Sequence, residues 1–258
     1  MNPLLISALC LLVYMLLAFV VALIKKDNGI ADIAYGGGFI NLALVTFALG
    51  SGEIPSMIVS VLVLIWGLRL SYRIGKRNWN KPEDFRYKKW REEWGKTFVL
   101  RSLFQVFLLQ GTIIFLVALP ITLTNTQSLG DFSWFVIAGA LAWFVGFFFE
   151  SVGDAQLDAF IKNPESKGKL MDRGLWKYSR HPNYFGEALM WWGMAFIAFG
   201  SISSVAIALL AFISPLLITF LLLKVSGVPM LEKRMAENPD WAEYARKTSV
   251  FIPLPSKS

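Results

Sequence analysis

Cysteine, histidine and charge are all scarce in this chain of 258 residues. It has one cysteine and one histidine, Cys10 and His181, and 17% of its residues are charged, against about 25% in soluble domains. One cysteine cannot form an internal disulfide or a cysteine-based zinc site, and one histidine argues against a histidine-rich metal centre. We therefore expect neither a disulfide framework nor a metal site.

The chain is rich in hydrophobic residues. The mean hydropathy is +0.54 and 55% of the residues are hydrophobic. These residues are concentrated in runs of roughly 17 to 26, and about 20 suffice for a helix to cross the bilayer core. The sequence predicts an all-α, polytopic membrane protein whose single domain covers 1–258. Seven runs are predicted to span the membrane: 3–24, 33–50, 54–74, 99–124, 134–153, 184–200 and 202–224.

Lysine and arginine are missing from alternate connections. None occurs in 51–53, 125–133 or 201. Nearly all occur in the other connections and the tail, at 25–32, 75–98, 154–183 and 225–258. Because cytoplasmic loops carry the basic excess, the N-terminus is predicted outside and the C-terminus inside. The same bias explains the net charge of +7, so we expect membrane lipids as partners and no nucleic acid.

The connection before the sixth run ends in a polar segment at 173–187. Pro182 suits the first turn of a helix, whose free N–H groups, together with Arg180, could bind a phosphate. Asn183 and Glu187 are four residues apart and share a helix face. The pattern fits a phosphate-bearing cofactor. It fits equally a set of residues that anchor lipid headgroups and pair with neighbouring helices.

Three acidic residues lie at predicted membrane edges. Glu150 and Asp154 are four apart at the predicted end of the fifth run, where a helix dipole disfavours anions. They therefore need donors, either from a ligand or from a neighbouring loop. Asp32 precedes Tyr35, and the two could act as an acid pair that polarises a carbonyl. The alternative for Asp32 and Tyr35 is an interfacial position alone. The glycines at 36–38 admit another backbone or a flat ligand.

The third run ends in a basic and aromatic stripe. Tyr72 lies on it, Arg77 follows, and Tyr87 comes ten residues later. Such residues could grip a phosphate and stack on an adenine. A juxtamembrane belt has the same composition, so the two interpretations stand level.

Taken together, these motifs resemble the steroid 5α-reductase family, including a bacterial branch that shares Trp66-Gly67-Leu68-Arg69 and Glu83-Asp84-Phe85-Arg86-Tyr87. The resemblance covers nearly the whole chain. It implies a seven-helix membrane enzyme that takes hydride from NADPH and reduces the C4–C5 double bond of a 3-oxo-Δ4 steroid or a similar enone. It further implies an apolar substrate from the bilayer and a cytoplasm-facing active site, in a bacterial inner membrane. The oligomeric state stays open.

The resemblance also assigns residues. Asp32, Tyr35 and Tyr72 are the candidates for catalysis, although Asp32 stands where eukaryotic relatives carry Glu after Gln. Lys169 and Glu150 stand where those relatives carry Arg and Asn. The candidates for cofactor binding are Arg77, Tyr87, Glu150, Asp154, Lys169, Tyr178, Arg180, His181, Asn183, Tyr184, Glu187 and Tyr244.

A rival resemblance comes from the segment Arg-His-Pro-Asn-Tyr at 180–184 and from Phe-Ile-Pro at 251–253. Both are similar to isoprenylcysteine carboxyl methyltransferases, which bind S-adenosylmethionine. Seven predicted spans and the long 75–98 connection favour the reductase. A lipid-binding or scaffold membrane protein without catalysis is the third possibility, and it predicts no cofactor binding.

Overall fold

A computed structural model describes residues 2–78, 81–129 and 132–256. Positions 79–80 and 130–131, which belong to two of the predicted connections, lie outside them. Within the described residues the regular structure is helical and no strand is present, which confirms the all-α prediction. The α-helices in chain order are α1 (Pro3–Lys25), α2 (Ile30–Leu49), α3 (Ile54–Asn78), α4 (Phe85–Trp94), α5 (Phe98–Ser102), α6 (Leu109–Val117), α7 (Leu119–Gln127), α8 (Trp134–Lys162), α9 (Pro182–Ser201), α10 (Val205–Leu210), α11 (Ile213–Phe220), α12 (Val228–Met235) and α13 (Trp241–Lys247).

Six helical stretches among the described residues are long and apolar enough to cross a membrane. They are Pro3–Lys25, Ile30–Leu49, Ile54–Asn78, Phe85–Val117, Trp134–Lys162 and Val205–Met235. The chain is therefore a polytopic membrane protein. The sixth predicted run, 184–200, forms most of α9, and α9 is not among these six stretches.

The fourth predicted run, 99–124, is divided between the long stretch Phe85–Val117 and the separate helix α7. One stretch ends at Val117, and α7 begins at Leu119 with Pro120 in its first turn. Proline has no N–H to donate, and inside a helix its ring clashes with the carbonyl four residues earlier, so it kinks or ends the helix. The predicted run was defined by hydropathy alone, and hydropathy does not register the effect of Pro120 on the backbone.

Helix α8 continues past the predicted end at 153, as far as Lys162. The carboxylates of Glu150 and Asp154 therefore lie inside a helix, two or more turns before its C-terminus. The helix-dipole argument is wrong for them, because the effect falls off within the last turn. Their need for hydrogen-bond donors remains, since both are buried.

The chain divides into two compact units: Met1–Val136 with Ile197–Ala211, and Ile137–Phe196 with Phe212–Ser258. This division into units does not test the predicted single domain, which stays a prediction. The first unit contains α1 to α7 and α10. The second contains α11 to α13 and most of α8 and α9.

In the first unit the glycines at 36–38 face three neighbouring helices. A Cβ on Gly36 would lie 2.6 Å from the carbonyl oxygen of Gly67 in α3. A Cβ on Gly37 would collide with the hydroxyl of Tyr14 in α1, and one on Gly38 would lie 2.8 Å from Ile114 in α6. Helices of the protein therefore fill the space that the sequence left open to a backbone or a flat ligand.

Candidate functional site

Glycines also bring α8 and α9 together in the second unit. A Cβ on Gly146 would lie 2.5 Å from the carbonyl oxygen of Gly186, and one on Gly186 would collide with the backbone of Glu150. Small residues allow two membrane helices to approach closely. The crossing places Glu150 and Asp154 of α8 beside the first turns of α9, where the predicted cofactor ligands begin.

Asn183, in the first turn of α9, links the two helices. Its Nδ2 donates a hydrogen bond to Oδ1 of Asp154 at 3.1 Å. Its Oδ1 is buried and has no hydrogen-bond partner within the described part of the chain. Asp154 and Glu150 are 3% and 5% exposed. A buried acceptor without a donor costs about 1–3 kcal/mol, so this position favours a ligand that donates.

His181 adds a second acceptor. Its Nε2 lies 3.2 Å from Oε1 of Glu232. A carboxylate only accepts, so the network assigns the proton to Nε2 and leaves Nδ1 as an acceptor. This Nδ1 is buried without a hydrogen-bond partner in the described residues. Burial lowers the pKa of the imidazole below its ordinary value, although Glu232 acts in the opposite direction. His181 is therefore neutral at pH 7, and its ring stacks on Tyr184 at 5.5 Å.

We call Glu150, Asp154, His181 and Asn183 the acceptor cluster. Each contributes an oxygen or a nitrogen that accepts hydrogen bonds, and two of these atoms have no donor in the described residues. Glu187 lies one turn further along α9. The arrangement suits a ligand that brings donors, such as ribose hydroxyls, a carboxamide or an ammonium group.

Arg180 is engaged inside the protein. Its Nε donates to Oε1 of Glu232 at 2.7 Å, and its Nη1 donates to the carbonyl oxygens of Ala245 and Thr248 at 2.8 and 2.9 Å. Its side chain is 9% exposed. The guanidinium that was predicted to bind a cofactor phosphate therefore holds α12 and the C-terminal segment to the start of α9.

Two predicted tyrosines belong to the same junction. The hydroxyl of Tyr244 donates to the carbonyl oxygen of Trp176 at 2.7 Å, and Nε1 of Trp176 donates to Gly153 in α8 at 3.1 Å. Burial raises the pKa of Tyr244, so it stays protonated as a donor. The carbonyl oxygen of Tyr178 accepts from Leu254 at 3.0 Å, and the Tyr178 side chain is exposed.

A cavity of about 470 Å³ opens among these segments. We call it the loop–tail cavity. Its charged and tyrosine lining residues are Lys169, Asp172, Arg173, Lys177, Asp240, Glu243, Tyr244 and Lys247.

Within this lining, Lys247 pairs with Glu243 at 2.5 Å and Arg173 with Asp172 at 3.8 Å. Lys169 and Lys177 have no ion-pair partner within residues 2–78, 81–129 and 132–256. The cavity thus offers two unpaired cations, which suits a ligand that carries phosphate.

The first unit contains a second charged group, the Asp32 cluster of Asp32, Asp84, Arg86 and Tyr87. Oδ1 of Asp32 accepts from the Tyr87 hydroxyl at 2.8 Å, and Oδ2 accepts from Nη2 of Arg86 at 3.2 Å. Arg86 also donates from Nε to Asp84 at 2.9 Å. Tyr87, predicted as a cofactor ligand, is 5% exposed. Both oxygens of Asp32 are therefore occupied by donors from α4.

A neighbouring ion pair ties the same two helices. Glu83 accepts from Arg91 at 2.8 and 3.0 Å and from the backbone N–H of Asn28 at 2.9 Å. Nδ2 of Asn28 donates to Ser102 at 2.9 Å, while its Oδ1 is buried without a hydrogen-bond partner in the described residues. Together these contacts dock α4 against the start of α2.

The remaining predicted residues of the first unit have other surroundings. The ring of Tyr35 packs edge-on against Phe39 and Trp66 at 5.1 and 6.4 Å. Tyr72 is 68% exposed, with the ammonium group of Lys76 lying 5.6 Å from the centre of its ring. Arg77 is exposed near the end of α3.

Sequence reasoning missed Glu232 and Gln156. Glu232 receives both Arg180 and His181, and no spacing along the chain connects it to them. Gln156 accepts from the backbone N–H of Leu175 at 2.9 Å. One signal could have pointed to it: Gly174 has φ of +59°, and a Cβ there would collide with the Gln156 amide.

A match to a protein-family model shows which family the chain belongs to. Residues 18–248 match the family described as protein of unknown function (DUF1295), and the chain belongs to this family of membrane proteins related to steroid 5α-reductases. The match covers both units and every predicted site residue. It establishes the relationship at the level of that family.

One curated relative is an uncharacterized protein of Schizosaccharomyces pombe. The chain is 26% identical to it over 171 residues. The match covers 57% of this chain and 49% of that protein, so it spans about half the length of the relative. No solved structure matches the chain significantly. Among the described residues, no group of three or more His, Cys, Asp or Glu side chains is placed to hold a metal ion.

Proposed function

We propose that the protein is an NADPH-dependent membrane reductase that acts on the C4–C5 double bond of a 3-oxo-Δ4 steroid or a similar apolar enone. Membership in a family related to steroid 5α-reductases supports the proposal. The observation that carries it lies in the second unit, which combines the acceptor cluster with the cations of the loop–tail cavity.

The two features match the two ends of a dinucleotide. The carboxamide and ribose hydroxyls donate hydrogen bonds, and the acceptor cluster supplies buried acceptors for them. Three phosphate groups carry negative charge, and Lys169 and Lys177 supply cations. S-adenosylmethionine has donors but no phosphate, so it would leave the cations of the loop–tail cavity unused.

NADPH supplies the hydride when it is bound. In this proposal Asp154, Asn183 and neutral His181 hold its donor groups, and burial in the second unit keeps water from competing for them. Arg180 acts through Glu232 and the C-terminal segment, so it is a positioning residue. Tyr244 has the same kind of role, because its hydroxyl is committed to Trp176.

In the first unit we assign substrate activation to the Asp32 cluster. Hydride addition to an enone places negative charge on its oxygen, and a hydrogen-bond donor stabilises that charge. Arg86 is such a donor, held in place by Asp32 and Asp84, and its guanidinium has more N–H groups than these two carboxylates occupy. The single O–H of Tyr87 is committed to Asp32. Asp32 itself donates only when protonated. Tyr35 and Tyr72 remain the candidates that the resemblance proposes.

One observation favours methyl transfer as the second candidate function. Glu150 and Asp154 are two buried carboxylates, and S-adenosylmethionine carries a positive sulfonium and an ammonium group. Carboxylates stabilise such charges. The proposal of an S-adenosylmethionine-dependent methyltransferase therefore competes for the same cluster.

We also propose seven spans, with α9 as the additional one, an outside N-terminus and a cytoplasmic C-terminus in a bacterial inner membrane. The Lys and Arg distribution supports this orientation. It exposes the loop–tail cavity to the cytoplasm, where NADPH is available. Accessibility of cysteines placed at 127 and at 167 to an impermeant reagent tests it: we expect labelling from outside at 127 only.

Thermal unfolding of the purified full-length protein tests the cofactor. A ligand at 100 times its dissociation constant stabilises by about 2.7 kcal/mol, so NADPH is expected to raise the melting temperature by several degrees. S-adenosylmethionine at the same concentration should leave it unchanged. Stabilisation by S-adenosylmethionine alone would replace the reductase with the methyltransferase.

A further inference from the structure

A second cavity lies in the first unit, on the apolar side of α1 and α2. Its volume is about 430 Å³, within the range of roughly 300–1,000 Å³ that ligand pockets occupy. Its lining consists of Ile6, Leu9, Cys10, Val13, Tyr14, Leu17 and Asn41. We call it the α1–α2 cleft. It shares no residue with the Asp32 cluster or with the loop–tail cavity.

The amide of Asn41 gives this apolar cleft a polar group. Oδ1 of Asn41 is buried and has no hydrogen-bond partner within the described residues. The residue lies 11 positions after Ile30 in α2, about 16 Å along the helix at roughly 1.5 Å per residue. That is near the middle of a hydrocarbon core about 30 Å thick. No water is available there to satisfy an amide.

The other polar groups of the cleft do not satisfy Asn41. The hydroxyl of Tyr14 donates to the carbonyl oxygen of Ala34 at 3.0 Å. Its position depends on Gly37, whose hydrogen leaves room for that hydroxyl. Cys10 is a weak donor and a weak acceptor. Asn41 thus contributes an amide, without a protein partner in the described residues, to a wall that consists mostly of aliphatic side chains.

We propose that the α1–α2 cleft binds a lipid-soluble alcohol, an apolar molecule whose one hydroxyl pairs with Asn41. A hydroxyl both donates and accepts, so it fits the amide in either of its two flipped orientations. The aliphatic residues contact the hydrocarbon body. The site does not depend on the proposed reductase activity, and the alcohol can bind whether or not the protein uses NADPH.

The test compares two photoreactive probes in the full-length protein in phosphatidylcholine nanodiscs. One is a diazirine-bearing hexadecanol, and the other is its methyl ether, which has lost the donor. We expect the alcohol to label α1 and α2 peptides more strongly than the ether by roughly 2- to 12-fold, the effect of one neutral hydrogen bond. Excess unlabelled hexadecanol should remove the difference.

Three variants localise the effect. Asn41→Leu should make the two probes label equally, and Val13→Trp should fill the cleft and reduce labelling by both. Thr219→Val is the matched control, because Oγ1 of Thr219 is another buried polar atom without a hydrogen-bond partner in the described residues, in the second unit. It should keep the preference for the alcohol.

Two outcomes would overturn the proposal. Equal labelling by alcohol and ether in the unsubstituted protein would show that the cleft holds only hydrocarbon. Oxidative cross-linking through Cys10, the single cysteine, into a dimer that resists labelling would show that a second copy of the chain covers the cleft.

Discussion

The Asp32 cluster and the acceptor cluster both gather buried or half-buried carboxylates, yet they differ in how these are satisfied. In the first unit both oxygens of Asp32 receive donors, from Tyr87 and Arg86. In the second unit, Oδ1 of Asn183 and Nδ1 of His181 are buried and receive no hydrogen bond from the described residues. The first group is closed by the chain itself, and the second is left open.

This difference separates two kinds of role. A closed ion-pair group fixes helices and can change its partners only by breaking existing bonds. An open acceptor group carries a desolvation penalty until a ligand brings donors. We therefore propose that the cofactor binds at the acceptor cluster. We propose that the Asp32 cluster activates the substrate while its ion pairs keep α4 docked against α2.

The largest expected effect comes from the closed cluster. Asp32→Leu should reduce turnover of a 3-oxo-Δ4 steroid by about 10²- to 10⁴-fold, because Asp32 positions the donor Arg86 and a positioned donor contributes about that much. NADPH binding should change little, since the proposed cofactor ligands lie in the other unit. Steady-state rates and NADPH titration of the same preparation check both parts.

Asp84→Asn is the matched control for Asp32→Leu. Asp84 also binds Arg86 and caps α4 by accepting from its backbone N–H at 2.9 Å, and asparagine caps a helix equally well. It should keep turnover near that of the unsubstituted protein. Unchanged turnover in a folded Asp32→Leu would move the catalytic assignment to Tyr35 or Tyr72.

The open cluster should show the next largest effect. Asn183→Leu removes the buried acceptor that the cofactor is expected to use, at a cost of roughly 1–3 kcal/mol, or about 5- to 150-fold in NADPH affinity. Calorimetric titration measures it, with Thr219→Val as the control. An unaltered affinity in Asn183→Leu would show that the amide only links α9 to Asp154.

A smaller effect is expected at the loop–tail cavity. Lys169→Gln should weaken NADPH binding by up to about five-fold, because an exposed charge pair contributes roughly 0.2–1 kcal/mol. High salt should reduce the difference from the unsubstituted protein. Lys167→Gln, in the same loop but outside the cavity lining, should bind NADPH normally. Equal losses in both variants would indicate a general charge effect.

The last expected effect is a pH dependence of stability from His181. Burial lowers the pKa of this imidazole in the folded protein below its unfolded value of about 6.5. Its contribution to stability is therefore present above pH 6.5 and lost as the pH falls through the folded-state pKa, with a slope of at most about 1.4 kcal/mol per pH unit. Melting temperatures from pH 8 to 5 should fall less steeply in His181→Gln. Parallel curves would assign the acid sensitivity to other groups.

The sequence predicted the helical class and most of the spans, because apolar run length alone decides them. It could not predict the break before α7, where Pro120 interrupts an apolar run, or the continuation of α8 to Lys162. Both depend on local backbone geometry, which hydropathy does not contain.

The site residues show a similar division. The spacing of Asn183 and Glu187 on one helix face followed from the chain, as did the start of α9 at Pro182. The partners of Arg180 and Tyr87 did not, because Glu232 and Asp32 lie 52 and 55 positions away in sequence. A basic residue in a motif can bind a phosphate or a distant carboxylate, and only the fold distinguishes the two.

Hydrogen–deuterium exchange with and without NADPH tests the distinction between the open and closed clusters most directly. Saturating NADPH should slow exchange in the segments 173–188 and 241–249 of the second unit, which surround the acceptor cluster and the loop–tail cavity. The segments 27–34 and 83–94 around the Asp32 cluster should exchange at the same rate with and without it. Slowed exchange confined to the Asp32 cluster, or none in either unit, would contradict the assignment of the cofactor to the acceptor cluster.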